Sequence, residues 1–272
     1  MNPLQLFGGF LLGLLVSITA WRAHALTRDG AIAAALMGTL IFGLGGVPWA
    51  ALLLTFFITS SALSRAFARR KVALDEKFAK SSRRDWGQVA ANGGLGAGLI
   101  LLQLIFPAET WPWWAYAGAL AAVNADTWAT ELGTLSTAPP RLITTGQKVE
   151  KGTSGGISLT GTLAALMGAA LIGGVASLFP ALAGVRGRAW LIPLLISFAG
   201  LAGSLFDSLL GATFQAIYHC PTCAKETERH PTHLCGTPTT LLRGLPWLNN
   251  DGVNFAASLL GALLAALLSF SF

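Results

Sequence analysis

Eight apolar runs divide this sequence, and each is close to the length that carries a helix across a bilayer. They cover about 4–21, 30–46, 48–64, 88–106, 112–133, 157–179, 190–217 and 252–270. A crossing helix needs about 20 apolar residues. Backbone polar groups inside lipid must be satisfied within the protein, which leaves only helices and closed barrels. Barrel strands alternate polar and apolar over about 10 residues, whereas these runs are continuously apolar. The chain is 53% hydrophobic and only 11% charged, against about 25% charged for a soluble domain. The expectation is an all-α, polytopic integral membrane protein with about eight transmembrane helices, residues 1–272 forming one domain. Residues 1–21 lack a basic start and an obvious small-residue cleavage site, so they read as a first span. The second and third runs are split only by Gly43-Leu-Gly-Gly-Val-Pro48; they read as two spans or as a re-entrant pair.

Basic residues orient the runs. With both termini outside, the inner segments hold every Lys and Arg except Arg186 and Arg188. The long loops 65–87, 134–156 and 218–251 then face the cytoplasm of what reads as a prokaryotic plasma membrane. The net charge of +6 belongs mainly to that face, where it suits anionic membrane lipids rather than nucleic acid. The 65–87 loop mixes bases with Asp75, Glu76 and Asp85, and reads as a short surface helix or a solvated connection.

Ionisable groups at membrane depth are costly, so each is a candidate for function. Asp126 and Glu131 lie at the inner end of the fifth run. Five helical residues turn about 140°, so the two share no face and meet one ligand only at a helix end or a break near Gly133. Pairing with Arg141 or another base as a helix-end clamp is the structural alternative. Asp207 shares a helix face with Gly200, Ser204, Ser208, Gly211 and Gln215. Small residues there suit close packing. A carboxylate about ten residues, or roughly 15 Å, from the inner end has no such use. Asp251 opens the eighth run beside Asn249, Asn250 and Asn254; Asn249 or Asn250 reads first as a helix cap. Asn92 stands near the inner end of the fourth run. The four acids Asp126, Glu131, Asp207 and Asp251 all fall toward the cytoplasmic side. Clustered oxygen ligands suit Mg²⁺, which is shared between a few carboxylates and substrate phosphates.

Gly152-Thr153-Ser154-Gly155-Gly156 follows Lys148 and Lys151 and precedes Ser158 and the sixth run. Such a turn can present N–H groups and a helix dipole to phosphate. A plain N-cap by Thr153 or Ser154 competes with that reading, and the spacing is not that of a Walker A loop. A cytoplasmic insertion at 219–249 holds all three cysteines. Cys220 and Cys223 in a Cys-x₂-Cys, followed by His233 and Cys235, supply four ligands for a closed structural Zn²⁺ site. His230 and His219 are the other histidine candidates.

At these residues the chain resembles the integral-membrane family that contains plant phytyl-phosphate kinase. The shared runs are Ala125–Gly133, Gly152–Ser158, Asp207–Ala212, Asn250–Asn254 and the Cys220–Cys235 loop. The first two are also similar, more distantly, to dolichol kinase and other CTP-using membrane lipid kinases. The resemblance implies phosphoryl transfer from a nucleoside triphosphate, CTP by analogy, to an isoprenyl monophosphate. It implies Mg²⁺ on Asp126, Glu131, Asp207 and Asp251, and nucleotide or phosphate contacts from Asn92, Gly152, Thr153, Ser154, Gly155, Gly156, Ser158, Asn250 and Asn254. Lys148 and Arg65 would neutralise charge. A cytidylyltransferase would use the same ingredients, and an ion-coupled transporter also carries intramembrane acids.

Overall fold

A computed structural model describes residues 3–68, 77–80, 83–185 and 188–271. Among them run eight helices: α1 (Pro3–Arg22), α2 (Arg28–Ala66), α3 (Trp86–Ile105), α4 (Trp111–Gly133), α5 (Leu159–Ala176), the short α6 (Pro180–Ala183), α7 (Leu191–Thr213) and α8 (Asn250–Ser269). The reading of 65–87 as a surface helix or solvated connection, including Asp75 and Glu76, falls largely outside the described residues. So do Arg69, Arg70, Lys71 and Arg186 of the charge partition.

The 39 residues of α2 are two helices. Gly46 adopts φ 68° and ψ −160° just before Pro48, a left-handed conformation that glycine enters without steric cost. The chain therefore folds back. Trp49 packs over Gly45, and Arg65 returns to donate to the Ala23 carbonyl at the end where α2 began. The fold-back lies beside the start of α4. Trp49 rests on Trp113 and Tyr116 at 5.5 and 4.5 Å, and the Tyr116 hydroxyl donates to the Trp49 carbonyl. The pair is thus two helices that run back on one another across the Gly46 break.

Among the described residues, six helices are long and apolar enough to cross a membrane: α1, α2, α3, α5, α7 and α8. The expectation counted 112–133 among the apolar spans, but α4 is not one of the six. Its Trp, Asn, Thr and acidic residues lower its hydropathy, and its position permits them. Every residue from Pro112 to Ala125 is buried, because α4 packs on α2, α3, α5, α7 and α8. A helix surrounded by protein need not be apolar toward lipid. Its neighbours approach through small residues: a Cβ on Gly118 would lie 2.3 Å from the Gly261 carbonyl oxygen, and one on Gly203 would meet Ala122. Such contacts suit helix packing where lipid gives no hydrophobic drive. Buried Asn124 donates to the Gly168 carbonyl and accepts from Thr59 and Ser60, so α2, α4 and α5 are tied by a satisfied polar group.

The fold also departs from all-α. At one end of the bundle, β1 (Arg141–Leu142) pairs antiparallel with β2 (Gly156–Ile157), and β3 (Ile217–Cys220) lies between β4 (Lys225–Thr227) and β5 (Thr240–Arg243). Every described Lys and Arg except Arg188 lies at this end. The chain's first and last helical residues lie at the other.

Candidate functional site

At the stranded end the helices α2, α3, α4, α5, α7 and α8 surround a cavity of about 610 Å³. Its wall includes Asp126, Glu131, Asp207, Asp251, Asn92, Asn250 and Asn254, together with Gly152, Thr153, Ser154, Gly155, Gly156 and Ser158. Two expected residues lie elsewhere. Lys148 is exposed, in a bridge with Arg141, and Arg65 is exposed and spent on the Ala23 carbonyl. The bases on the wall are Lys80, Arg84 and Lys151. Arg141 is exposed, donates to Gly146 and is not the clamp; the other base that Glu131 acts on is Arg84.

Asp126 and Glu131 occupy the last two turns of an unbroken α4 and look to different partners, as a 140° separation requires. Ser64 donates to Glu131 at 2.6 Å, and the Glu131 charge acts on buried Arg84. Asp126 acts instead on Asp207 across the cavity. Asp207 is in turn coupled to Glu228, and Glu228 to Asp251. Asp126, Asp207, Glu228 and Asp251 are thus a linked series of acids on the cavity wall. Asp207 Oδ2, Asp251 Oδ1 and Asn92 Oδ1 are buried without a hydrogen-bond partner among the described residues. Among the described residues, five carboxylates and three bases line the wall. Buried, unsatisfied carboxylate oxygens of this kind fit a hard divalent ion.

Asp207 is shallower than expected. The apolar reading continued the seventh helix to 217, but α7 ends at Thr213. Asp207 is six residues from that end, roughly 9 Å, and Gln215 lies beyond the helix. Lys80 spans Asp85 at 2.9 Å and Asp251. Burial works against its charge, but the bonds to Asp251 and Asp85 outweigh it and raise its pKa. Lys151 donates to the Ser136 carbonyl just past α4.

The glycine turn does not run directly into a helix. Two strand residues intervene, and Ser158, not Thr153 or Ser154, caps α5 by accepting from Gly161 N–H at 3.1 Å. Gly152 and Gly155 have φ of 79° and 84°. A Cβ on Gly155 would lie 2.5 Å from Ala212 at the end of α7, so the turn sits against that helix as only glycine allows. Asn249 is the α8 cap, leaving Asn250 to the cavity.

The four ligand atoms of Cys220, Cys223, His233 and Cys235 lie within 4.8 Å of one another and could hold a metal ion. Sγ220 to Sγ235 is 3.6 Å and His233 Nδ1 to Sγ235 is 3.3 Å. Tetrahedral Zn²⁺ with Zn–S of about 2.3 Å needs sulfurs about 3.7 Å apart. His230 is stacked on Tyr218 at 4.4 Å and takes no part. The Thr237 hydroxyl and the His233 ring pull the Cys235 thiol down to about 6.

The sequence reading passed over Glu228. It follows β4, in the Cys/His loop, and enters the cavity. Its carboxylate accepts from Ser154 of the glycine turn at 3.0 Å, from Gln215 after α7 at 2.8 Å, and from Ala79 N–H. Burial, with the Asp251 charge, pushes its pKa up against these three donors. In sequence Glu228 stands between Thr227 and Arg229 near other charges and looks like a solvated loop.

The integral membrane protein family DUF92 matches residues 11–262. Protein PGR of Arabidopsis thaliana is 33% identical over 97% of this chain and 96% of its own length. An uncharacterised membrane protein of Methanocaldococcus jannaschii is 32% identical over 97% of this chain and 94% of its own. Protein VTE6, chloroplastic, of Arabidopsis thaliana is 25% identical over 95% of this chain and 68% of its own. No solved structure matches the chain.

Proposed function

The chain belongs to the integral membrane family DUF92, and on that premise we propose that it is a Mg²⁺-dependent isoprenyl monophosphate kinase. The donor in this reading is CTP, the acceptor a phytyl- or geranylgeranyl-type monophosphate, and the cavity faces the cytoplasm. The observation that carries the proposal is the convergence on one cavity of Asp126, Asp207 and Asp251, the Gly152–Gly156 turn and the bases Lys80 and Arg84. The family matched is also the one whose motifs resemble phytyl-phosphate kinase.

An isoprenyl monophosphate is largely ionised near neutral pH, its second pKa being about 6. It needs no general base. One of its phosphate oxygens bonds to the γ-phosphorus of the nucleotide while the bond to the β,γ-bridging oxygen breaks, giving isoprenyl diphosphate and nucleoside diphosphate. Positioning and charge neutralisation carry such a transfer. Asp126 and Asp207 would hold Mg²⁺, with Asp251 beside them. Bound there, the ion would offset phosphate charge and orient the transferring group. The glycine turn would cradle nucleotide phosphates, with Ser154 held by Glu228 and Glu131 held by Ser64 beside Arg84. The Cys/His cluster would hold structural Zn²⁺, with no open position for catalysis.

The test offers purified protein CTP, UTP, ATP and GTP in turn, with phytyl, geranylgeranyl and longer monophosphates, with and without Mg²⁺. Mg²⁺-dependent formation of the lipid diphosphate is expected. Release of pyrophosphate with a nucleotide-linked lipid would replace the kinase by a cytidylyltransferase. Saturable uptake into liposomes without nucleotide turnover would replace it by a transporter.

A further inference from the structure

A second, apolar cavity of about 60 Å³ opens off the first. It runs between α1, both halves of α2, and α3. Gly13 of α1, Ala34, Gly38 and Phe57 of α2, and Val89 and Gly93 of α3 lie along it. Gly13, Gly38 and Gly93 on its wall let the helices close on one another: a Cβ on Gly93 would meet Met37, and one on Gly38 would meet Gly13. Three residues, Arg84, Gln88 and Asn92, belong to the walls of both cavities. The slot therefore opens into the polar site through a gate of one cation and two amides.

Arg84 is an unusual residue for that place. It is only 8% exposed. Its guanidinium has five N–H donors, and among the described residues its one side-chain hydrogen bond goes to the Ser61 hydroxyl at 2.8 Å. The guanidinium stands 5.8 and 5.9 Å from the ring centres of Phe56 and Phe57, which line the slot, and Arg84 also lines the polar cavity, so the cation sits where the two meet. A buried cation is costly unless it is paired and hydrogen-bonded; the Glu131 charge acts on this one, and only one of its five donors is taken by a described side chain. Beside it, Asn92 Oδ1 is buried without a hydrogen-bond partner among the described residues. Arginine suits phosphate because its planar fork can donate two bonds at once.

We propose that the slot seats the head-proximal isoprene units of an isoprenyl monophosphate, with the lipid phosphate on Arg84 at the gate. The charge order fits an amphiphilic phosphate: apolar slot, buried cation, then the acidic metal-binding wall where the donor would lie. The slot has about a tenth the volume of the polar cavity, so it reads the first units of the tail. Val16, Phe42 and Leu54 along it are half-buried, which gives the remaining chain a side exit into the bilayer. This inference rests on the kinase reading for the identity of the lipid.

The test is photolabelling of the full-length protein in nanodiscs, using geranylgeranyl monophosphate with a diazirine in its first isoprene unit. Labelling needs no turnover. The expected label falls on peptides covering 13–17, 34–57 or 89–93, and unlabelled geranylgeranyl monophosphate removes it while phosphatidylglycerol does not. Arg84→Gln should cut labelling at least tenfold, and Arg84→Lys should restore part of it. Ala34→Phe, which fills the slot, should raise the half-saturating lipid concentration at least tenfold. Its KM for CTP should stay unchanged in the coupled assay. Label on α5 or α7, or equal displacement by phosphatidylglycerol, would overturn the slot assignment. Slot labelling by a protein that transfers no phosphoryl group would leave the slot standing and sink the kinase. Transfer with label elsewhere would do the reverse.

Discussion

Asp126 is the residue on which the proposed chemistry turns. It sits at the stranded end of the buried helix α4 and acts on Asp207, also on the cavity wall. Asp126→Asn removes charge but keeps shape, so turnover should fall by at least about a hundredfold, the scale of losing one electrostatic contact in a catalytic site. The melting temperature should hold. Full activity in that variant would remove the metal assignment. Glu228 makes a different prediction. Its raised folded pKa means the ionised form costs stability, so that contribution is favourable below the ordinary Glu value and is lost as pH rises through the folded one. Relative to the parent, Glu228→Gln should therefore be more favourable to melting temperature at pH 8 than at pH 5, without added Mg²⁺. The reverse order would mean that the three donors outweigh burial. Asp126 stood out in the sequence because a carboxylate in an apolar run is costly. Glu228, Lys80 and Arg84 did not, because each looks like an ordinary loop charge until tertiary contacts carry it into the cavity.

Among the elements, the Cys/His loop does more than close on itself. Between its two halves it delivers Glu228 to Ser154 and Gln215, so a metal held by the loop would bear on the cavity's geometry. Metal analysis of the purified protein should find one zinc per chain. Cys223→Ser should lose it, and turnover should fall more than tenfold while the helical circular dichroism persists, because ligand loss unfolds the loop and not the bundle. Retention of full activity without metal would separate the loop from the site. The glycine turn is the second linked element. Gly155→Ala places a Cβ against Ala212 at φ 84°, a left-handed conformation that costs about 1–2 kcal/mol. It should raise the KM for nucleotide more than that for lipid, measured in the same assay. The ligand spacing of the loop and the glycine pattern of the turn were legible in the sequence. The cap was misread, since two paired residues of β2 separate the turn from α5, and only the strand partner at Arg141–Leu142 reveals them. The end of α7 was misread for a like reason: Phe214, Ala216 and Ile217 are apolar, but Ile217 opens a strand.

At the scale of the whole molecule, one bundle carries a polar cavity at the end where the basic residues gather. The apolar runs gave the helices and their order, including the fold-back marked by Gly46 and Pro48. They did not give the central place of α4, because burial among other helices leaves a less apolar sequence than contact with lipid does. Nor did they give the small sheets, whose strands are two to four residues long. The arrangement accounts for a membrane lipid kinase in physical terms: acids and a glycine turn for a metal–nucleotide complex, a buried arginine for the acceptor, and an apolar path for its tail. The direct test is transfer of label from γ-³²P-CTP to geranylgeranyl monophosphate by purified protein with Mg²⁺. The account predicts labelled geranylgeranyl diphosphate and one CDP per transfer, lost without Mg²⁺ and in Asp126→Asn. A folded, metal-loaded protein that labels no isoprenyl monophosphate with any of the four nucleotides would contradict it.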